Sequence, residues 1–192
     1  DYGKNSNISD QHFVDAGAQV ESVEKIYSSS DVIVQIGFED LEAAKLLKKN
    51  CYLVVNHFNK DNKELVSSLK NKSINIFSLD LLPRITRAQS MDILSSQANL
   101  AGYKAVIDSV YEFNKAIPMM MTAAGTVTPA KFFIIGTGVA GLQAIATAKR
   151  LGGVVSATDV RAASKEQVES LGAKFVFVEN SENLETEGGY AK

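Results

Sequence analysis

Phe132-Phe133-Ile134-Ile135-Gly136-Thr137-Gly138-Val139-Ala140-Gly141-Leu142-Gln143 is the stretch on which the fold of this chain turns. Four apolar residues in succession read as a buried strand, and three glycines follow at the spacing GxGxxG. Residues 139–151 then carry a helical pattern that stops at Gly152. Val154-Val155-Ser156-Ala157-Thr158 reads as a second strand and runs into Asp159. That carboxylate lies 159 − 141 = 18 residues past the third glycine, against an expected spacing of about 20. Residues 162–171 read as a further helix before Gly172, and residues 175–178 as a third strand. A glycine pattern between strand and helix, with a carboxylate closing the next strand, is the fingerprint of a dinucleotide site in a Rossmann-type βαβ unit. Gly136 permits the tight turn, Gly138 lets a pyrophosphate approach the backbone, and Gly141 lets the helix pack on the strand. The N–H groups of Val139 and Ala140, at the helix N-terminus, face the phosphates. Asp159 is expected to accept both hydroxyls of the adenosine ribose and to repel a 2′-phosphate, which favours NAD(H) over NADP(H). Arg161 argues the other way, since a nearby arginine accommodates that phosphate. A glycine turn that binds no nucleotide is the competing reading.

Upstream the same alternation recurs. Residues 31–36, 51–55 and 74–78 read as buried strands, separated by helical patterns at 39–49 and 62–70. Strands alternating with helices imply parallel sheets. The first thirty residues are polar, with one short helix near 11–16. A long helix is expected from about residue 87 to 116, opened by a capping-box pattern Thr86-Arg87-Ala88-Gln89 and followed by Pro118. At 100° per residue, Gln89, Asp92, Ser95, Ser96, Asn99 and Tyr103 fall within about 60° of one line, opposite Leu94, Ala98, Ala101 and Ala105. A solvated helix face usually carries Lys and Glu. These amides, hydroxyls and one carboxylate suit a polar ligand or partner better. Residues 117–130, with Met119-Met120-Met121 and Gly125, read either as a buried linker or as a hairpin packed on a second subunit, where adaptable Met is at home. The expected organisation is therefore α/β, with two open parallel-sheet domains joined by a long helix. Residues 1–116 form an N-terminal domain that includes the helix, 117–130 a linker or dimer hairpin, and 131–192 a Rossmann NAD(H)-binding domain.

Composition narrows the field. The chain has 192 residues, a net charge of −2 and a single cysteine. The charge leaves no footprint for nucleic acid, and one cysteine excludes a disulfide framework. No apolar run approaches the roughly 20 residues of a membrane span. No residue set reads as a metal site. The chain opens without methionine and supplies three strands of a nucleotide domain that needs about six, so it is expected to be a piece of a longer protein.

Pro83-Arg84-Ile85-Thr86-Arg87-Ala88-Gln89-Ser90-Met91-Asp92-Ile93-Leu94-Ser95-Ser96-Gln97 closely resembles a signature of the proton-translocating NAD(P) transhydrogenases. The resemblance continues through Asn99-Leu100-Ala101-Gly102-Tyr103, Thr122-Ala123-Ala124-Gly125, Gly138-Val139-Ala140-Gly141-Leu142-Gln143 and Ala157-Thr158-Asp159-Val160-Arg161. It reappears in Lys165-Glu166-Gln167-Val168 and Gly188-Gly189-Tyr190-Ala191-Lys192. The resemblance is to the alpha subunit, the NAD(H)-binding component. It implies direct hydride transfer from NADH here to NADP⁺ on a separate component, coupled to proton movement through a membrane-spanning one. It also implies a homodimer without membrane insertion of its own. The location implied is peripheral, on the cytoplasmic or mitochondrial matrix face of an energy-transducing inner membrane. By the same resemblance Arg84, Asp92 and Ser95 surround the nicotinamide end of NAD(H), Gln89 reaches the NADP(H) side, and Tyr190 belongs to a loop that closes over the nucleotide.

Hydride transfer between two nicotinamides needs alignment and shelter rather than a general acid or base, so the absence of an obvious catalytic His or Cys is in keeping. Plainer roles compete: Gln89 as a capping residue, Arg84–Asp92 as a structural ion pair, Tyr190 as surface. Two other functions compete as well. An alanine-dehydrogenase-like enzyme would need a proton donor, for which His57 at a strand end is the candidate. A non-catalytic module would bind NADH and transfer nothing.

Overall fold

The computed structural model describes residues 3–177, which fall into two compact units divided between Asp92 and Ile93. In the first, α1 (Asp10–Asp15) and α2 (Val23–Ser29) precede β1 (Val32–Gln35), α3 (Leu41–Leu46), β2 (Tyr52–Val55), α4 (Lys63–Asn71) and β3 (Asn75–Ser78). Helix α2 lies in a stretch whose composition reads as polar chain. The three strands are parallel in the order β1-β2-β3, with Ile33 beside Leu53 and Leu53 beside Ile76. Asp40 caps α3 by accepting from Glu42 N–H at 2.8 Å, and Asn62 caps α4 by accepting from Leu65 N–H at 3.2 Å. Ala43 and Ala44 of α3, Leu47 directly after it, and Leu65 and Leu69 of α4 are buried with Ile33, Leu53 and Val55.

The second unit starts with the long helix α5 (Ile93–Glu112), followed by a hairpin of β4 (Met120–Thr122) and β5 (Gly125–Val127). Then come β6 (Lys131–Ile135), α6 (Val139–Arg150), β7 (Val154–Thr158), α7 (Ser164–Ser170) and β8 (Lys174–Phe175). Strands β6-β7-β8 are parallel and consecutive, with Phe132 beside Val155 and Ala157 beside Phe175. The sequence expectation of two open parallel sheets is met.

Consecutive order has a physical consequence. Right-handed crossovers between successive parallel strands carry every helix to the same face of the sheet. Among the described residues each sheet is therefore covered on one side only. Val155, Ala157 and Phe175 are buried under α6 and α7, while Phe133, Ile135 and Val154 are exposed on the opposite face, Ile135 to 79%. Val32, Val34 and Phe77 do the same in the first unit. Strands that read from their apolar runs as fully buried are thus buried at alternate residues.

The long helix departs from its expected form. Residues Thr86–Met91 form a 3-10 helix whose N-cap is Ile85, without a side-chain cap bond, so the capping box of Thr86 and Gln89 does not form. Asp92, at ψ 88°, breaks the backbone before α5, as short polar side chains that compete for backbone groups tend to do. That break ends the 100° phase linking Gln89 and Asp92 to the residues after them. The face α5 buries also differs: Gly102 and Val106 are buried and Ala98 and Val110 half-buried, whereas Leu94, Ala101 and Ala105 are exposed. Ala98, Gly102, Val106 and Val110 lie on one i, i+4 ridge, and Gly102, Val106 and Val110 of it pack against Ala140, Ala144, Ile145 and Ala148 of α6. Gly102 explains the choice of face, because a Cβ there would lie 2.0 Å from the Ala140 carbonyl oxygen. By its contacts the helix groups with the second unit, which begins at Ile93.

Replacing Gly102 by Ala tests this seam. Helix propensity alone would favour alanine by about 1 kcal/mol, but overpacking against rigid backbone costs about 1–3 kcal/mol. The expected result is a lower urea midpoint; a higher midpoint would show that α5 and α6 do not touch there.

Candidate functional site: the glycine loop of the second unit

The loop between β6 and α6 is built around backbone conformation. Gly136 has φ +87°, a region L side chains rarely adopt, and its N–H donates to Thr158 O at 2.9 Å. A Cβ on Gly141 would lie 1.9 Å from the Gly136 carbonyl oxygen, so the third glycine packs on the turn itself as well as near Ile134. Gly138 is different. Its backbone is extended and a Cβ there would meet nothing within 4 Å. Among the described residues no contact requires a glycine at 138, and a phosphate passing close to the backbone would.

Gly138 is also the N-cap of α6 and carries no capping side chain. The N–H groups of Val139 and Ala140 lie in the first helical turn, where no intrahelical acceptor exists. They are aligned with the positive end of a twelve-residue helix dipole. An open Gly138 and an uncapped helix head together fit the pyrophosphate of a dinucleotide.

Asp159 follows directly on β7 and its side chain is 5% exposed. Thr137, buried completely, holds it from the loop: its N–H donates to Asp159 Oδ2 at 2.6 Å and its hydroxyl at 2.9 Å. Arg161 holds it from the other side, with Nε–H to Oδ1 at 2.9 Å and Nη2–H to Oδ2 at 3.0 Å, a bidentate pair. The Arg161 guanidinium, more than any other group, keeps the carboxyl far below the usual carboxylate range. The donors from Thr137 and the Arg161 backbone act in the same direction, and burial opposes them. Thr137 is the residue that sequence reasoning misses. It occupies the first variable place of GxGxxG, and a hydroxyl residue at that place, in a loop facing the strand end that carries Asp159, is the available signal.

The remaining residues singled out from sequence divide between the units. Arg84 and Gln89 are exposed and Asp92 half-buried in the first unit; Ser95 is half-buried in the first turn of α5, in the second. Asn99, four residues further along α5, lines a surface hollow with Val139 and Gln143, bringing one member of the expected polar stripe to the head of α6. His57 Nδ1 is hydrogen-bonded to Asp80 Oδ2 at 2.8 Å, where β2 and β3 end. The Asp80 carboxyl is held below its usual range first by the Ser78 hydroxyl and then by His57. Tyr190 lies outside the described residues. Met119, Met120, Met121 and Val127 are exposed on the β4–β5 hairpin, so among the described residues this segment is not a buried linker. Among the same residues no helix is long and apolar enough to cross a membrane.

Comparison with known proteins gives the family. Residues 1–101 match the family described as alanine dehydrogenase/PNT, N-terminal domain, and residues 105–189 the corresponding C-terminal domain. This chain belongs to the alanine dehydrogenase/PNT family. It is 51% identical over 99% of its length to the first part of NAD(P) transhydrogenase subunit alpha from Rhodospirillum rubrum, covering 52% of that protein. To the protein of the same name in Rickettsia prowazekii it is 46% identical, over all of this chain and 51% of the relative. Among solved structures, transhydrogenase from Sinorhizobium meliloti matches with TM-score 0.84 and 51% identity over 93% of this chain and 51% of that one. An L-alanine dehydrogenase shares the fold at TM-score 0.73 and 22% identity, over 92% of this chain and 50% of that one. The chain thus spans about half the length of the relatives it matches.

The Asp159 network makes a pH-dependent contribution with a definite sign. A carboxyl with a depressed folded pKa stabilises the fold fully above its unfolded value, about 3.9, and loses that contribution as pH falls toward the folded value. Asp159→Asn is expected to lower stability by about 1–3 kcal/mol at neutral pH. The deficit should stay constant down to about pH 5 and shrink only below about pH 4. Urea unfolding of both proteins across this range is the check, and a deficit already gone at pH 5 would remove Asp159 as its source.

Proposed function

We propose that this chain forms the NAD(H)-binding part of a proton-translocating transhydrogenase, in which hydride passes directly between NADH here and NADP⁺ held by a separate component. One observation carries the nucleotide assignment: Gly138, open to its surroundings, heads an uncapped helix beside a buried carboxylate. The likeness to transhydrogenase alpha subunits, at 51% identity, supports the choice of reaction.

In this reading the N–H groups of Val139 and Ala140, in a loop shaped by Gly136, Gly138 and Gly141, receive the pyrophosphate. Asp159 accepts the hydroxyls of the adenosine ribose, beside Arg161. Arg84, Asp92 and Ser95 orient the nicotinamide end, Gln89 acts toward the NADP(H) side, and Tyr190 closes over the nucleotide. The bound dinucleotide supplies the hydride; the chain supplies position and exclusion of water. The exposed methionines of the β4–β5 hairpin suit a contact with a second copy, making a homodimer. NADP(H)-binding and membrane-spanning components are the other partners, which sets this chain at the surface of an energy-transducing membrane.

An alanine-dehydrogenase-like activity is the second reading, favoured by the oriented His57–Asp80 pair, which could hold a proton for an imino acid. The two are separated by assaying the full-length protein with pyruvate, ammonia and NADH. No NADH oxidation is expected, and turnover would favour the second reading.

The transhydrogenase reading makes two further demands. NADH should bind more tightly than NADPH, and equal affinities would count against it. In the complex reconstituted with an NADP(H)-binding component, Gln89→Asn should slow single-turnover transfer by about 10²-fold or more, because a misplacement near 1 Å costs that much. NADH affinity and melting temperature should stay put. Unchanged transfer would remove Gln89 from the reaction.

A further inference from the structure

The carboxylate of Asp159 has more donors than acceptor places. Oδ1 accepts from the Arg161 backbone N–H and from its Nε–H, each at 2.9 Å. Oδ2 accepts from Thr137 N–H at 2.6 Å, from the Thr137 hydroxyl at 2.9 Å and from Arg161 Nη2–H at 3.0 Å. A carboxylate offers about four lone-pair sites, and here these five donors converge on it. A ribose diol would add two O–H donors, for which there is no room while all five remain.

The five are not equally held. Two are backbone N–H groups fixed by the glycine loop and by the turn after β7. A third is the hydroxyl of a threonine with no exposed surface. The last two belong to a guanidinium on a long flexible stem, and the Arg161 side chain is 14% exposed against 5% for Asp159. Those two also have the form of a vicinal diol seen by a carboxylate: adjacent donors, pointing the same way, one to each oxygen.

We propose that the Arg161 guanidinium and the adenosine ribose compete for the same face of Asp159, so that nucleotide binding exchanges one for the other and Arg161 sets both affinity and discrimination against a 2′-phosphate. This rests on reading Asp159 as the ribose acceptor. Two consequences follow from the exchange. Displacing the guanidinium offsets part of what the diol contributes, so the apparent affinity is lower than the diol alone would give. In addition, a paired Asp159 carries no net charge with which to repel a 2′-phosphate, and discrimination by charge acts only when Arg161 has moved off.

The test is calorimetric titration of the full-length protein with AMP, 2′,3′-dideoxy-AMP, NADH and NADPH, in unmutated, Arg161→Leu and Asp159→Asn forms. Arg161→Leu should bind AMP and NADH about three- to tenfold more tightly and leave dideoxy-AMP unchanged. It should also widen the preference for NADH over NADPH. Asp159→Asn should bind AMP and dideoxy-AMP alike. If Asp159→Asn abolishes the diol preference while Arg161→Leu leaves it unchanged or narrows it, the exchange is overturned and the ribose reading survives. If the unmutated protein itself does not distinguish AMP from dideoxy-AMP, the ribose reading falls and the exchange with it. Should Arg161→Leu not fold, the Nε–H signal of Arg161 in the NMR spectrum of the unmutated protein decides. Its protection from water exchange should be lost on saturation with NADH, and retained protection overturns the proposal.

Discussion

The first turn of α6 is held between two backbone contacts that only glycine allows. On one side Gly141 sits against the carbonyl of Gly136; on the other, Gly102 of α5 sits against the carbonyl of Ala140. Adjacent residues of one turn are thus fixed by two neighbours, the loop and a second helix, with no side chain between to absorb an error. What this constrains is the direction of the N–H groups at the head of α6. A phosphate site made of backbone donors has no side-chain freedom to correct its aim, so its accuracy depends on where the helix is placed. The core beneath follows from the same placement, because Ala144, Ile145 and Ala148 of α6 can reach Val106, Val155 and Ala157 only when the helix axis is this close to both the sheet and α5.

The polar side of the same unit is arranged around a buried charge. Removing Asp159 from water is costly unless its oxygens are satisfied, and Thr137 and Arg161 satisfy them fully. The loop and the end of β7 are thereby tied together through one carboxylate. Nucleotide choice is expected to depend on this residue, and its charge is matched within the protein. Under the proposed exchange, preference for one dinucleotide over another depends on whether the guanidinium stays on Asp159 or leaves its charge exposed to the ribose.

Among the described residues each sheet has one apolar face under helices and one apolar face exposed, because three consecutive parallel strands with right-handed crossovers send all their helices to one side. Strand sequences such as Phe132-Phe133-Ile134-Ile135 read the same whether one or both faces are covered. Strand order, which the local sequence does not encode, makes the difference.

What the sequence determined by itself was whatever depends on residues near one another along the chain. The βαβ alternation, the glycine turn at Gly136, the opening at Gly138 and the position of Asp159 at a strand end are all of that kind. They follow from φ preference, from missing or short side chains and from apolar periodicity, each decided within a few residues. The tertiary structure decided what depends on partners distant in sequence. Helical phase pointed to Leu94, Ala98, Ala101 and Ala105 as the buried face of α5, but close approach to Ala140 selected the ridge through Gly102 and Val106. The pattern at Thr86–Gln89 promised a helix cap, and the chain instead makes a 3-10 turn broken at Asp92. Thr137 is an ordinary variable position in GxGxxG until folding carries it to Asp159, twenty-two residues on. A side chain's partner is set by the packing of whole elements, and that is an energy summed over many contacts which no short stretch of sequence contains.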